Sequence, residues 1–425
     1  MNVDTAIDRD TDPGNVGTGL PSHALWFLGA VVALLVFGIV LLFSASFYRG
    51  ADMTGDPTFY LRRQLWGTML GGIALLIGVS FPPRLWLRAA PYLFSGVAVL
   101  LFLVLLIGVD RNGARRWFSL PLVGSLQPSE LAKITVPLFI AWCYQRWGLL
   151  DKAKPVFLER RAMAMLAAVG VVAALVILEP DYGTGAFLLA VGGALFLVGG
   201  LPRRTISLAA VVVAVAAVPM FLLRKEVILS RFSGMFDPRS VYQVDQSLMG
   251  IQGGGVTGTG LGLGLQKAMV PEAFTDFIVA VLGEEFGFVG FLILVGLLSL
   301  LLHTGARIVL RCKDPALRLV ALGFLGGIVL QACINLAVTT AAAPTKGIPM
   351  PLVSYGSSGL SVTLLAVGLL LGIARYEHRR ECERLREASL ADSSAADTSA
   401  GNTSAVNTSA ADSLTADPLP AGAAR

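Results

Sequence analysis

Asp276 stands at an abrupt boundary. The stretch Gln266 to Glu285 reads Q-K-A-M-V-P-E-A-F-T-D-F-I-V-A-V-L-G-E-E. It opens polar and runs into an apolar segment, with Asp276 the last polar residue before that segment. Glu284 and Glu285 follow within it, about 13 Å further along if the segment is helical. An ionised side chain at such depth costs several kcal/mol by most estimates, so it usually marks function. Two readings of Asp276 stay open on spacing alone. It could cap the N-terminus of the following helix, or it could hold a charge for chemistry at the boundary.

Four clusters of polar residues share this character. One is N-G-A-R-R-W-F-S-L followed by L-Q-P-S-E-L-A-K-I. Its Arg115 and Arg116 could seat a phosphate, because a guanidinium offers phosphate oxygens a bidentate fork. Glu130 and Lys133, three apart, could pair on one helix face as a structural ion pair or join that cationic seat. A second is the turn E-P-D-Y-G-T from Glu179 to Thr184. Its Asp181 could cap the next helix, or its two carboxylates could bind a cation. A third runs from Arg231 through F-D-P, Tyr242-Gln243 and Gln246-Ser247 to Lys267, Glu272 and Asp276. The fourth is N-L-A-V-T-T-A-A-A-P-T-K-G-I-P-M-P-L-V-S-Y-G-S-S, which carries Asn335, Lys346 and Ser354. Its prolines forbid a regular helix, and irregular backbone at membrane depth is tolerated only under protein cover or along a cavity.

The elements that must position these groups are membrane helices. The chain has 425 residues, 55% hydrophobic and 14% charged, with a mean hydropathy of +0.72; a soluble chain could not hide so much apolar surface. Runs long enough to span a bilayer fall near 25–47, 66–81, 88–109, 130–147, 162–178, 184–200, 205–223, 277–302, 317–340 and 357–374. The expected fold is an all-α polytopic membrane protein of about ten helices, its body at 24–376 between tails at 1–23 and 377–425. One long extracytoplasmic loop is expected near 224–276. The acidic residues Asp4, Asp8, Asp10 and Asp12 make residues 1–23 unlike a cleavable leader.

An even span count places both termini on one side. Arg84, Arg88, Arg146, Lys152, Lys154, Arg160, Arg161, Arg203 and Arg204 put that side in the cytoplasm, and Arg307 to Arg318 and Arg375 to Arg386 agree. All four polar clusters then fall outside. The outer cations (among them Arg115, Arg116, Arg224, Arg231, Lys267 and Lys346) break the charge bias, which suggests that they have work to do. The glycines from Gly253 to Gly264 follow no strand, so they are read as permitting close backbone turns and not as a nucleotide loop. Cys143, Cys312, Cys333 and Cys382 read as free thiols, and the scattered His23, His303 and His378 point to no metal centre. The net charge of +5 is explained by orientation and implies no nucleic-acid partner. From about 388 the five-residue repeat around N-T-S-A predicts a disordered tail. A repeat-type transporter would concentrate polar groups near the midplane; an enzyme at the outer leaflet fits better.

Taken in order, G-A-R-R-W, Q-P-S-E-L-A-K, P-D-Y-G-T, Y-Q-V-D-Q-S-L, Q-K-A-M-V-P-E-A-F-T-D-F-I, G-E-E-F-G and P-T-K-G-I-P-M-P-L-V-S-Y-G resemble the SEDS (shape, elongation, division, sporulation) family over residues 25–375. The forms present look like its division-type branch more than its elongation-type branch. Glu179 stands where the family usually has Gln, Ser357 where a Gly is usual, and Ala341 where Gly is common. The resemblance implies a peptidoglycan glycosyltransferase of the bacterial inner membrane that polymerises lipid II, with a flippase as the alternative class. It also implies a class B penicillin-binding protein, a transpeptidase, as partner among other division proteins. Asp276 is then the catalytic base. Arg115, Arg116, Glu130, Lys133, Arg231, Lys267, Glu272, Lys346 and Ser354 are candidates for substrate binding, with Asp181, Glu284, Glu285 and Asn335 in support. No cofactor is required by this reading; a divalent cation such as Mg²⁺ would be compatible with a diphosphate leaving group.

Overall fold

The structure is a computed structural model that describes residues 19–111, 114–120, 124–148, 158–223 and 225–413. The acidic start of the chain, Lys152, Lys154 and Arg224 lie outside the described residues. Seven helices come first: α1 (Ser22–Thr54), α2 (Phe59–Ser80), α3 (Pro83–Ile107), α4 (Pro128–Trp147), α5 (Leu158–Leu178), α6 (Tyr182–Val198) and α7 (Arg203–Leu223). Three more long helices close the chain: α11 (Ile278–Arg311), α12 (Pro315–Thr339) and α13 (Ser357–Ser413). Each of the ten apolar runs read from the sequence is therefore helical. Helices α1, α3, α5, α11, α12 and α13 hold segments long and apolar enough to cross a membrane, while α6 and α7 are shorter apolar helices. Their apolar side chains both form a continuous core and remain exposed in large number, as expected where lipid replaces water.

Leu20–Tyr376 forms one compact unit, and among the described residues, 377–413 belong to a second. The helical backbone of α13 continues to Ser413, beyond the point where composition predicts disorder. Glu381–Arg384 and Glu383–Arg386 are spaced to pair along a helix, and alanine is the strongest helix former.

Two features depart from a plain bundle. The first is a three-stranded antiparallel sheet, β1 (Val109–Arg111), β2 (Ala114–Leu120) and β3 (Gly124–Leu126), between α3 and α4. The all-α expectation includes no sheet here, although the dipeptide Asn112-Gly113 is by itself a strong hairpin signal. The second is that the long loop is built. It contains α8 (Lys225–Phe236), a 3₁₀ turn (Pro238–Ser240), α9 (Tyr242–Gly254) and α10 (Gln266–Met269).

The glycine-rich part of that segment repairs a break in α11. Gly287 has φ 60° and ψ −153° within the helix, a conformation open essentially to glycine alone. The break frees backbone groups that lipid cannot satisfy. Thr259 N and Gly260 N donate to the carbonyls of Glu284 and Glu285 at 2.9 and 3.0 Å. Phe288 N and Val289 N donate to Gly255 O and Val256 O at 2.9 and 3.1 Å. A β-carbon on Gly258 would lie 2.1 Å from Glu285 O, so this close approach needs glycine.

Candidate active site

Asp276 leaves the P-E-A-F-T turn immediately before α11. Glu272, at φ 56°, starts that turn, and its carbonyl accepts from Thr275 N and Asp276 N at 3.1 Å each. Phe274, Tyr60 and Tyr355 pack ring to ring with centroids 4.6 to 5.6 Å apart, and Tyr355 N donates to Phe274 O at 3.0 Å. These three rings brace the turn that leads to Asp276. Phe277 occupies the N-cap position of α11 with no side-chain capping bond. Asp276 does not cap the helix, and its carboxylate is left for other use.

That carboxylate lies against the irregular segment between α12 and α13. Its Oδ2 sits 2.8 Å from where a β-carbon on Gly347 would be, so any side chain at 347 would displace it. Burial raises the Asp276 pKa to about 7, with the charges of Glu272 and then Asp181 adding to the effect. The neighbouring Lys346 is held below the usual lysine value by burial first and by Arg231 second, while Asp181 opposes the shift. Asp276, Asp181, Glu272, Arg231 and Lys346 thus share one electrostatic neighbourhood. The stem of Lys346 rests on the E-P-D-Y-G-T turn, with its Cδ 3.5 Å from a β-carbon built on Gly183.

The turn itself is braced from the sheet. Asp181 Oδ1 accepts from Thr184 N at 3.1 Å and caps α6, and its Oδ2 accepts from Gln127 Nε2 at 3.2 Å. Arg116 Nε donates to Glu179 O at 2.8 Å, and its Nη2 to Pro180 O at 2.7 Å. Arg115, one residue away on β2, faces the other side and donates from Nη1 to Leu106 O at 3.2 Å, at the end of α3. Strand alternation separates the two guanidiniums, so they do not form the joint phosphate seat that their adjacency suggested. The Glu179 side chain is 0% exposed and neither carboxyl oxygen has a partner. Burial and then the Asp181 charge raise its pKa to about 8, against the attraction of Arg116.

Several other candidates are held in the scaffold. Lys133 Nζ pairs with Glu130 at 2.7 Å, donates to Gln331 Oε1 at 3.1 Å and stands over the Phe187 ring, so it is not an open cation. The structural ion pair is the reading the geometry supports, beside a small cleft lined by Lys133, Phe187, Gln331, Ile328 and Thr363. Lys267 is also withdrawn from the cleft. Its side chain is 1% exposed, and its Nζ lies 2.6 Å from Glu285 Oε1, 2.9 Å from Ser44 Oγ and 3.0 Å from Gly262 O. Glu284 Oε1 accepts from Leu265 N and Gln266 N at 2.6 and 2.9 Å and so anchors the start of α10. Ser354 Oγ accepts from Met350 N at 2.9 Å, which makes it a turn-former.

Two residues that no motif marked also serve the site. Gln64 donates to Ser354 O at 3.3 Å and accepts from Gly356 N at 3.2 Å. Gln331 Nε2 donates to Pro349 O at 2.8 Å. For Gln331 the available signal was a lone glutamine in an apolar run; Gln64, directly after Arg62 and Arg63, carried none. Among the described residues, the four cysteines form no disulfide. Among the described residues, no three His, Cys, Asp or Glu side chains converge as a metal-binding group.

A helical bundle with six long apolar helices and a half-buried carboxylate at one end defines a multi-pass membrane protein with a polar site at a bundle mouth. Residues 25–379 match the FtsW, RodA and SpoVE family of cell cycle proteins, and the chain belongs to that family. A probable peptidoglycan glycosyltransferase FtsW of Trichlorobacter lovleyi is 34% identical over 84% of this chain and 94% of its own length. Its counterpart in Halorhodospira halophila is 36% identical over 88% and 95%. Among solved structures, a chain from the work "Structural coordination of polymerization and crosslinking by a peptidoglycan synthase complex" aligns with TM-score 0.66 and 29% identity over 83% of this chain and 97% of its own. Thermus thermophilus rod shape determining protein RodA aligns with TM-score 0.60 and 28% identity over 82% and 95%.

Proposed function

We propose that this chain is a peptidoglycan glycosyltransferase that polymerises lipid II into β-1,4 glycan strands, in the division-type role its FtsW relatives are named for. The observation that carries the proposal is the Asp276 carboxylate, lifted to about 7 and set against Gly347 beside Lys346. A general base works best when its pKa lies near the working pH. Asp276 takes the proton from the 4-hydroxyl of the acceptor GlcNAc as that oxygen attacks the anomeric carbon of the donor MurNAc. The bond to the polyprenyl diphosphate breaks, and the α-linked donor becomes a β-linked product. The diphosphate leaves with its electrons and needs cationic support, for which Lys346 and Arg231 are the nearest candidates. Arg115, Arg116, Lys133 and Lys267 are bonded elsewhere and act through the scaffold.

The remaining assignments extend this reading. In this reading ten spans with cytoplasmic termini leave the Asp276 mouth facing the outer leaflet, where the sugars of lipid II stand; the loop charge bias supports that orientation. The partner is a class B penicillin-binding protein, in keeping with the synthase complex whose chain aligns with this one, and the site of action is the division septum. The test is polymerisation of lipid II by the purified chain with its transpeptidase partner. Asp276→Asn lowers the rate roughly 10²–10⁴-fold, the usual contribution of a positioned base. A folded Asp276→Asn protein that polymerises at the wild-type rate would falsify the proposal.

A further inference from the structure

Two amide side chains on α12 hold the backbone on both sides of Asp276. Asn335 Nδ2 donates to Asp276 O and to Ile348 O, each at 2.8 Å. One turn earlier, Gln331 Nε2 donates to Pro349 O at 2.8 Å. Residues four apart share a helix face, so the two amides form a short ladder up α12. The ladder ends on the buried Glu130–Lys133 pair, because Lys133 Nζ donates to Gln331 Oε1 at 3.1 Å. Gly347, the residue against which Asp276 Oδ2 lies, is next to Ile348. A single NH₂ group is therefore bonded to the backbone of the base and to the backbone of the wall it faces.

The chemistry of the clamp is one-directional. Two carbonyl oxygens converge on one nitrogen, so only a donor fits there; an oxygen in its place would be repelled by both. This orientation leaves Asn335 Oδ1 buried without a partner, on a residue that is 1% exposed. An unpartnered buried acceptor costs stability, and such groups in native structures call for an explanation. Placement of the NH₂ group supplies one. The segment it grips needs holding: residues 343–350 carry no regular secondary structure, and Ile348 N bonds only locally, to Lys346 O at 2.9 Å.

We propose that Asn335, backed by Gln331, is a positioning residue that fixes the Asp276 carboxylate relative to Gly347 and the Lys346 ammonium. The proposal rests on Asp276 being the base. A displacement near 1 Å at a reacting group can lower a rate about 100-fold, so a clamp on both walls of the site should act on turnover more than on substrate binding.

The experiment uses the full-length chain with its transpeptidase partner and purified lipid II, followed by initial rate against lipid II concentration. Asn335→Asp keeps the shape but removes the donors. We expect its kcat to fall roughly 10–100-fold with KM little changed. Its rate relative to wild type should partly recover between pH 8 and pH 6, because a protonated carboxyl regains one O–H donor. Asn335→Leu should show the loss in kcat without that recovery. Gln331→Met, nearly isosteric and one turn from the base, should lose less, again in kcat, and it carries the test if the Asn335 variants do not fold. Wild-type kcat in Asn335→Asp or in Gln331→Met, or a loss confined to KM, overturns the inference. Identical pH dependence of the loss in Asn335→Asp and Asn335→Leu reduces Asn335 to a steric role and overturns it too. Asp276→Asn in the same assay separates this outcome from failure of the base assignment: if it retains activity, the underlying reading has failed and not the clamp.

Discussion

Asp276 and Glu179 are both carboxyl groups whose protonation is set by burial, and they make opposite demands on pH. Asp276 must be ionised to accept a proton, and its pKa of about 7 means that the base form accumulates only as pH rises through that value. The rate of polymerisation should therefore climb with pH through about 7, and no carboxylate with an ordinary pKa near 3.8 would produce that limb. A rate flat from pH 5 to 8 would count against the assignment. The Glu179 carboxyl oxygens accept no hydrogen bond, and the attraction of Arg116 does not offset burial, so the site favours the neutral form. Folding raises its pKa from 4.5 to about 8. The unfolded chain is then ionised while the folded chain still holds the proton, so stability present below pH 4.5 is lost as pH rises towards 8. Glu179→Gln, which mimics the neutral form, should melt near the wild-type temperature at pH 5 and above it at pH 8. Equal melting curves at both values would show that Glu179 does not titrate as its burial requires.

At the scale of elements, the turn that carries Asp276 is held in place by the broken helix beside it. Helix α11 supplies Glu284 to the start of α10 and Glu285 to Lys267, while the glycine-rich segment closes the gap at Gly287. Deleting one partner of a buried ion pair typically costs about 3–5 kcal/mol because the other charge is stranded. Lys267→Met should thus lower thermal stability sharply, and adding Glu285→Gln should restore much of it. If the double variant melts no higher than Lys267→Met alone, the pair is not the anchor described. This arrangement was only partly legible in the sequence. The apolar boundary marked Glu284 and Glu285 as buried, and the glycines announced close turns. Nothing in their spacing said that Lys267 would reach inward to Glu285 rather than outward to a substrate, because that depends on how α10 lies on α1 and α11. Arg115 and Arg116 show the same limit: adjacency suggested one seat, and the unexpected strand β2 turned them to opposite sides.

At the scale of the whole molecule, the proposed topology puts both chain ends in the cytoplasm and the Asp276 mouth outside. Alkaline phosphatase fused after Arg380 should be inactive, and the same enzyme inserted in the 3₁₀ turn at Pro238–Ser240 should be active; the reverse pattern would invert the protein. The order of the apolar helices, and the polar clusters between them, were legible in the sequence by itself. Hydrophobic length and loop charge are local quantities, and the bilayer reads them segment by segment. Asp276 was visible on the same ground, as a carboxylate at the end of an apolar run. The tertiary structure alone decided which cations remain beside it and which are absorbed in pairs. It also decided that Gln64 and Gln331 belong to the site, and that Asn335 joins its two walls. Those contacts join residues up to 292 positions apart, and each follows from the relative placement of whole helices, which no stretch of sequence encodes on its own.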